Sequence, residues 1–198
     1  MKLGVLYSGG KDSTLAALLL AEFYDVTLVT AHFGVSDDWT HARETAAALD
    51  FEFERLELDP DVARDAAGTI REDGFPRNGI QQVHLHALER LAEREYDAIA
   101  DGTRRDDRVP TVSRAQAQSL EDRHEIDYIA PLSGFGRTAV DRLVETELEV
   151  VAGPSEEIDR ADYEAELRAI IADEAGPGAI AECFPDHTQT YVTGVYRD

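Results

Sequence analysis

The stretch Leu3-Gly4-Val5-Leu6-Tyr7-Ser8-Gly9-Gly10-Lys11-Asp12-Ser13, continued by Thr14-Leu15-Ala16-Ala17-Leu18-Leu19-Leu20-Ala21-Glu22, decides how this chain is read. The apolar run Leu3 to Tyr7 reads as a buried strand, and Thr14 to Glu22 reads as a helix. A glycine-rich turn joins them. The first N–H groups of a helix lack intrahelical partners, and the helix dipole adds about half a positive charge at that end. Together they form an anion site, with phosphate as its usual occupant. Gly9 and Gly10 allow positive φ and close approach of the backbone to a ligand. Lys11 adds a full charge, and Ser8 and Ser13 add hydroxyl donors. Two phosphate motifs are excluded by spacing. A Walker A loop would need a lysine where Gly10 stands, and the turn lacks the G-x-G-x-x-G spacing of a Rossmann fingerprint.

Outward from this stretch, strands alternate with helices. Val26 to Phe33 reads as a second buried strand, and Thr40 to Leu49 as a helix. Phe51 to Leu58 alternates apolar and charged residues, as a strand at a sheet edge does. A helix from Asp61 to Arg71 is followed by a break over Gly74-Phe75-Pro76-Arg77-Asn78-Gly79. Ile80 to Arg94 reads as a helix, Tyr96 to Asp101 as a strand, Val112 to Glu121 as a helix and Glu125 to Ala130 as a strand. Thr138 to Leu148 reads as a helix with Thr138 as N-cap. Beyond Gly153-Pro154 the pattern changes to an acidic helix, Asp159 to Asp173, a break at Gly176-Pro177-Gly178 and a last strand, Thr190 to Tyr196. The expectation is an α/β fold with an open, mainly parallel five-stranded sheet, helices on both faces and a small C-terminal helix-strand appendage. Residues 1–152 would form the ligand-binding domain, with 153–198 packed on it. The first strand should be central, its carboxyl end at the ligand crevice.

The chain has 198 residues and a formal net charge of −22. Its nineteen basic residues include only two lysines, Lys2 and Lys11; the others are arginines. An acidic, lysine-poor surface suits a protein kept soluble in concentrated salt, which screens its self-repulsion. Lys11 is therefore hard to read as a generic surface charge. The acidity argues against nonspecific nucleic-acid binding through bulk charge. The single cysteine, Cys183, excludes an intrachain disulfide and a cysteine metal cluster. With no apolar run long enough to span a membrane, the expected location is cytoplasmic, with no membrane partner.

Three further loops lie at carboxyl ends of strands: His32-Phe33-Gly34, Gly102 to Arg108, and Pro131 to Arg137. The loop Gly102-Thr103-Arg104-Arg105-Asp106-Asp107-Arg108 carries two carboxylates and three guanidiniums. It can hold Mg²⁺ through Asp106 or Asp107 and phosphate through an arginine fork, or it can be a salt-bridged solvated loop. Arg137 could reach a phosphate or stay at the surface. Trp39 could cover a base or pack. His84 and His86, two apart on a helix, cannot share a face and are not a metal pair. His187 and Gln189 would line the site if the last segment folds back over it.

Ser8 to Ser13 resembles, residue for residue, the S-G-G-x-D-S loop of the PP-loop ATP pyrophosphatases. Gly102, Thr103, Asp106 and Asp107 resemble that family's second block, a Gly-Thr or Gly-His turn followed by Asp-Asp. The resemblance covers about residues 1 to 150, has the overall look of a short archaeal group described as tRNA-thiolation subunits, and implies an adenine nucleotide alpha hydrolase-like fold. It further implies ATP and Mg²⁺ as cofactors and cleavage of ATP between its α- and β-phosphates. A substrate oxygen would be adenylated, and sulfur or nitrogen would then displace AMP. The resemblance implies catalytic roles for Lys11 and Asp12, and metal binding by Asp12 and Asp107. It implies nucleotide binding by Ser8, Gly9, Gly10, Lys11, Asp12, Ser13, His32, Phe33, Gly102, Thr103, Asp106, Asp107 and Arg137. The cysteine pair and iron–sulfur triad of many sulfur-transferring relatives are missing, so thiolation would need a sulfur-carrier protein or partner subunit. The expected partners are thus ATP, tRNA or a sulfur carrier, and a second copy of the chain. Two other readings stay open: an ammonia-dependent amide ligase on a small acid, and a non-catalytic ATP- or AMP-binding sensor like the universal stress proteins.

Overall fold

Strand β1, Lys2–Leu6, runs through the middle of a five-stranded sheet in the computed structural model, which describes residues 1–154, 161–185 and 188–196. The other strands are β2 (Asp25–His32), β3 (Glu52–Glu57), β4 (Ala98–Ala100) and β5 (Asp127–Ile129). Their order is β3-β2-β1-β4-β5, and every pairing is parallel. β1 registers Leu3 against Val26 on one side and Ala98 on the other. The alternating strand Glu52–Glu57 sits at the edge, as its one wet face requires.

Alternate residues of β1 feed two cores. Leu3, Val5 and Tyr7 face helices α1 (Lys11–Ala21) and α2 (Trp39–Ala48), meeting Ala17, Leu20, Ala42 and Ala46. Leu6 faces the other side, with Ile70 of α3 (Pro60–Asp73) and Val83, Leu88 and Leu91 of α4 (Arg77–Ala92). Burial on both faces is what a parallel sheet demands. The chain builds β1, β2 and β3 outward, then returns to lay β4 on the opposite flank of β1. The strand order therefore reverses between β1 and β4, and ligand crevices of open α/β sheets form at such a point.

The remaining helices are α5 (Arg114–His124), α6 (Arg137–Glu147), α7 (Tyr163–Ala175) and α8 (Gly178–Cys183), with a 3₁₀ turn at Pro131–Gly134. β6 (Leu148–Pro154) and β7 (Thr188–Val195) form a separate antiparallel pair. Leu15 and Ala16 of α1, Val140 and Val144 of α6, and Leu148 and Val192 of this pair share a third core.

Several boundaries differ from those expected. α1 begins at Lys11, so Lys11 and Asp12 occupy its first turn. The break before α4 is shorter than Gly74 to Gly79: Gly74 ends α3 in the left-handed region, and Gly79 is already helical. A Cβ on Gly79 would stand 2.5 Å from Ile70 Cγ1 and 2.6 Å from the Ala66 carbonyl oxygen. Gly79 is thus where α3 and α4 touch, which composition alone misread as a breaker. α5 starts at Arg114 behind a capping box of Ser113 and Gln116, not at Val112. Thr138 is not the cap of α6; Gly136 precedes the helix with no side-chain cap. β6 and α8 were not expected. β6 is mostly exposed and ends on Gly153-Pro154, so neither periodicity nor composition marked it. The acidic helix begins at Tyr163 rather than Asp159, which lies outside the described residues, as does His187.

Candidate functional site

The loop after β1 is held open by its own backbone. Gly9 has φ +79°, where a Cβ would be strained. Gly10 precedes α1 in extended geometry and, having no side chain, caps the helix start with no hydroxyl or carboxylate of its own. The Ser13 hydroxyl donates to the Gly10 carbonyl (3.2 Å), and the Ser8 N–H points to Ser13 Oγ (3.5 Å). The Thr14 hydroxyl donates to the same carbonyl (2.9 Å) and lies 3.2 Å from the Tyr7 hydroxyl. Burial, more than this bond to Thr14 offsets, pushes the Tyr7 phenol far above its ordinary range, so it stays protonated.

The loop after β4 leans directly on this one. A Cβ on Gly102 would stand 2.6 Å from Ser13 N and 2.8 Å from Asp12 C, so only glycine fits there. Arg104 then stitches the loops together. Its guanidinium forks onto Asp107 Oδ1 (3.1 and 2.9 Å), and its N–H donates to Asp107 Oδ2 (2.7 Å). It also lies 3.7 Å from Asp12 Oδ1, to which Lys11 Nζ donates at 2.7 Å. Burial alone would lower the Arg104 pKa, but Asp12, Asp107 and Asp106 outweigh it and raise it.

These loops wall a cleft of about 280 Å³ at the point where the strand order reverses. Ser8, Asp12, Ser13, Gly102, Thr103 and Asp107 line it. Lys11 stands behind Asp12 as its ion-pair partner, while Gly9 and Gly10 shape the turn. Four expected residues lie elsewhere. Asp106 is on the exposed side of its loop, 3.9 Å from Arg104. Arg137 is exposed in the first turn of α6, 3.8 Å from Asp141. The Phe33 ring is buried in the core, because the chain turns inward at the end of β2. His32 opens onto a small neighbouring recess with Trp39 and Ala161, its Nδ1 without a hydrogen-bond partner among the described residues. Trp39 itself packs under Arg55, 4.2 Å from the ring centroid, and Arg43, at 5.2 Å. Cys183 is buried in the core with Phe184.

The C-terminal segments contribute more than sequence reasoning assigned them. The Val192 N–H donates to the Gly9 carbonyl (3.1 Å), and the Tyr191 ring would stand 3.5 Å from a Cβ on Gly9. Gln189 lines the cleft, as do Ala161, Asp162 and Tyr163. Glu166, buried on α7, accepts the N–H groups of Phe33 (2.8 Å) and Val35 (2.9 Å), tying α7 to the loop after β2.

One cluster was missed outright. Asp101, at the end of β4, is buried. Its Oδ1 accepts the Thr103 N–H (2.9 Å) and hydroxyl (2.6 Å). Its Oδ2 lies 2.8 Å from His84 Nε2 and 3.0 Å from the Tyr128 hydroxyl. The other ring nitrogen of His84 is 2.5 Å from the Tyr163 hydroxyl. Burial would raise the Asp101 pKa, but the His84 and Thr103 hydrogen bonds and the adjacent imidazole outweigh it and hold the carboxyl below its ordinary range. Burial, then the Asp101 charge, pushes the phenols of Tyr128 and Tyr163 well upward. Two signals in the sequence could have found this cluster. Asp101 is a carboxylate directly after a buried strand, and His84 falls four residues after Ile80 on the face that also carries Leu88.

Among the described residues, no three metal-ligating side chains converge. Asp12 and Asp107 are two carboxylates on facing loops. That suits Mg²⁺ arriving on phosphates, which uses one or two carboxylates, rather than an all-protein cage.

The chain is similar to an uncharacterized protein of Methanocaldococcus jannaschii, 42% identical over 199 residues, covering 100% of this chain and 98% of the relative. It is also similar to a crystal structure from that organism, described as a predicted subunit of tRNA methyltransferase. The match has a TM-score of 0.89 at 42% identity and covers 100% of this chain and 99% of the other. The model of a family described as being of unknown function, DUF7411, matches residues 1–194. By that match and these archaeal likenesses, the chain belongs to the DUF7411 family.

Proposed function

We propose that this protein is an ATP pyrophosphatase that adenylates a carbonyl or nucleobase oxygen, releasing pyrophosphate, so that sulfur or nitrogen can then replace that oxygen in tRNA modification. The observation that carries the reading is the contact of Gly102 with the first turn of α1. It makes the two motif-bearing loops opposite walls of one cleft. The N–H groups of Gly10 to Ser13 would receive the leaving pyrophosphate at the uncapped start of α1. Lys11 would neutralise charge on it, and Asp12 with Asp107 would hold Mg²⁺ against the phosphates. Bound Mg²⁺ supplies charge stabilisation at the phosphoryl oxygens. When nucleotide and ion enter, Arg104, now between the two carboxylates, would turn from Asp12 toward phosphate.

The tRNA part of the reading draws support from the methanogen structure described as a tRNA methyltransferase subunit. The sole cysteine is buried in the core, so a sulfur donor would come from a separate carrier. The test is incubation in molar KCl with Mg²⁺, α-labelled ATP and tRNA from the source cells. AMP and pyrophosphate formed only with tRNA are the expected products. ADP, or tight ATP binding without turnover, would overturn the reading in favour of a sensor. AMP formed without RNA would redirect it to a small acid and ammonia.

A further inference from the structure

We propose that Asp101, His84 and Tyr163 form a proton relay that opens into the cleft at Tyr163 and removes the N–H proton of a lactam-type acceptor. The proposal rests on the adenylation reading above and adds to it the acceptor's proton chemistry.

Asp101 accepts from the Thr103 N–H and hydroxyl and from the Tyr128 hydroxyl, and its Oδ2 faces His84 Nε2, a setting that suits an ionised carboxylate. The relay uses the tautomer with the His84 hydrogen on Nε2, toward that carboxylate, which leaves Nδ1 as an acceptor. The Tyr163 hydroxyl lies 2.5 Å from Nδ1 and in that tautomer donates to it. This is the arrangement of a reacting hydroxyl, a base and an orienting carboxylate. It is assembled from three separate elements, since α7 supplies Tyr163, α4 supplies His84 and the end of β4 supplies Asp101. All three side chains line the cleft that Ser8, Asp12 and Ser13 also line. Ile80, Val109 and Pro110 make the adjoining wall apolar, which suits a flat heterocycle. Among the described residues, the other ionisable groups facing this space are Tyr7, Asp12, Asp107, Asp162 and Glu164.

The step balances. The lactam oxygen forms a bond to the α-phosphorus of ATP, the bond from that phosphorus to the bridging oxygen breaks, and pyrophosphate leaves with that electron pair. The acceptor's ring N–H passes its proton to Tyr163 Oη as the Tyr163 hydroxyl proton passes to His84 Nδ1. The products are the O-adenylated imidate, pyrophosphate and a His84 imidazolium beside the Asp101 carboxylate. Because transfer is concerted, Tyr163 never holds a full negative charge, which its burial would disfavour. Tyr163 is the group that meets the acceptor; His84 and Asp101 act through it as positioning residues.

The test compares wild type, Tyr163→Phe and His84→Gln as full chains in molar KCl. AMP release from α-labelled ATP is followed with Mg²⁺ and bulk archaeal tRNA across a pH series. Wild type should show an acid limb of unit slope in log kcat, the mark of a step that needs a proton acceptor. Both variants should lose that limb and about 10²-fold in kcat, the usual worth of general-base help, while KM for ATP stays within about threefold. Tyr163→Phe keeps the ring and its packing, and thermal melting of each variant reports folding. Variants that keep the limb, or that lose ATP affinity while keeping kcat, would overturn the relay and leave adenylation standing. A wild type that releases no AMP would overturn adenylation and the relay with it.

Discussion

His84 Nε2 lies 2.8 Å from Asp101 Oδ2, and both side chains are almost wholly withdrawn from solvent. The Asp101 carboxyl is held below the ordinary value of 3.8. Its contribution to stability is therefore fully present above that value and is lost as pH falls through the lower folded value. Asp101→Asn should cost about 3 kcal/mol at neutral pH, since it leaves buried donors facing an amide. It should also make the loss of stability below about pH 4 shallower than in wild type. Denaturant midpoints measured for both proteins from neutral to acid pH check this; parallel acid limbs would refute it.

Lys11→Ala should cut turnover sharply and spare the fold. Lys11 touches Asp12 on a partly exposed first turn, and Asp12 keeps Arg104 nearby. The expected loss is about 10²-fold in AMP formation, typical of removing one preorganised charge at a leaving group. A melting temperature close to wild type should accompany it. Full turnover in the variant would mean that Ser8 to Ser13 does not hold the phosphates.

Gly102→Ala should damage stability and binding together. Its Cβ would meet the backbone at Ser13 N and Asp12 C, which cannot swing aside as a flexible side chain does. A loss of about 2–3 kcal/mol is expected from such overpacking, with nucleotide affinity falling in parallel. Urea unfolding and a fluorescent ATP titration on the same variant measure both effects.

Two other glycines should respond oppositely to the same change. Gly68 lies within α3 with open space around its would-be Cβ, so Gly68→Ala should stabilise by about 0.5–1 kcal/mol. Gly79 within α4 abuts Ile70 and Ala66, so Gly79→Ala should destabilise by about 2 kcal/mol. Equal effects at the two sites would contradict the α3–α4 contact.

The parallel sheet, its central first strand and its wet edge strand were legible because each has a local signature. Leu3 to Tyr7 is apolar throughout, and Phe51 to Leu58 alternates. The glycine turn between β1 and α1 was legible for the same reason, its residues being contiguous. What stayed hidden depends on contacts between residues far apart. Gly79 looks like a breaker until Ile70 stands against it. Asp101 and His84 are 17 residues apart, and Tyr163 is 79 beyond His84, so no local spacing announces their meeting. Arg137 and Asp106 had the right chemistry for the cleft, but the start of α6 and the twist of the loop after β4 turn them to solvent.

The bond from Val192 N–H to the Gly9 carbonyl has a consequence for the order of folding. The first strand, its glycine turn and α1 are joined by contacts local in sequence, whereas β7 reaches the turn only through contacts of long range, whose loop-closure cost delays them. A partly folded chain therefore has the turn and its helix before it has the brace, and before Tyr163 and Gln189 reach the cleft. The complete cleft is a property of the fully folded chain.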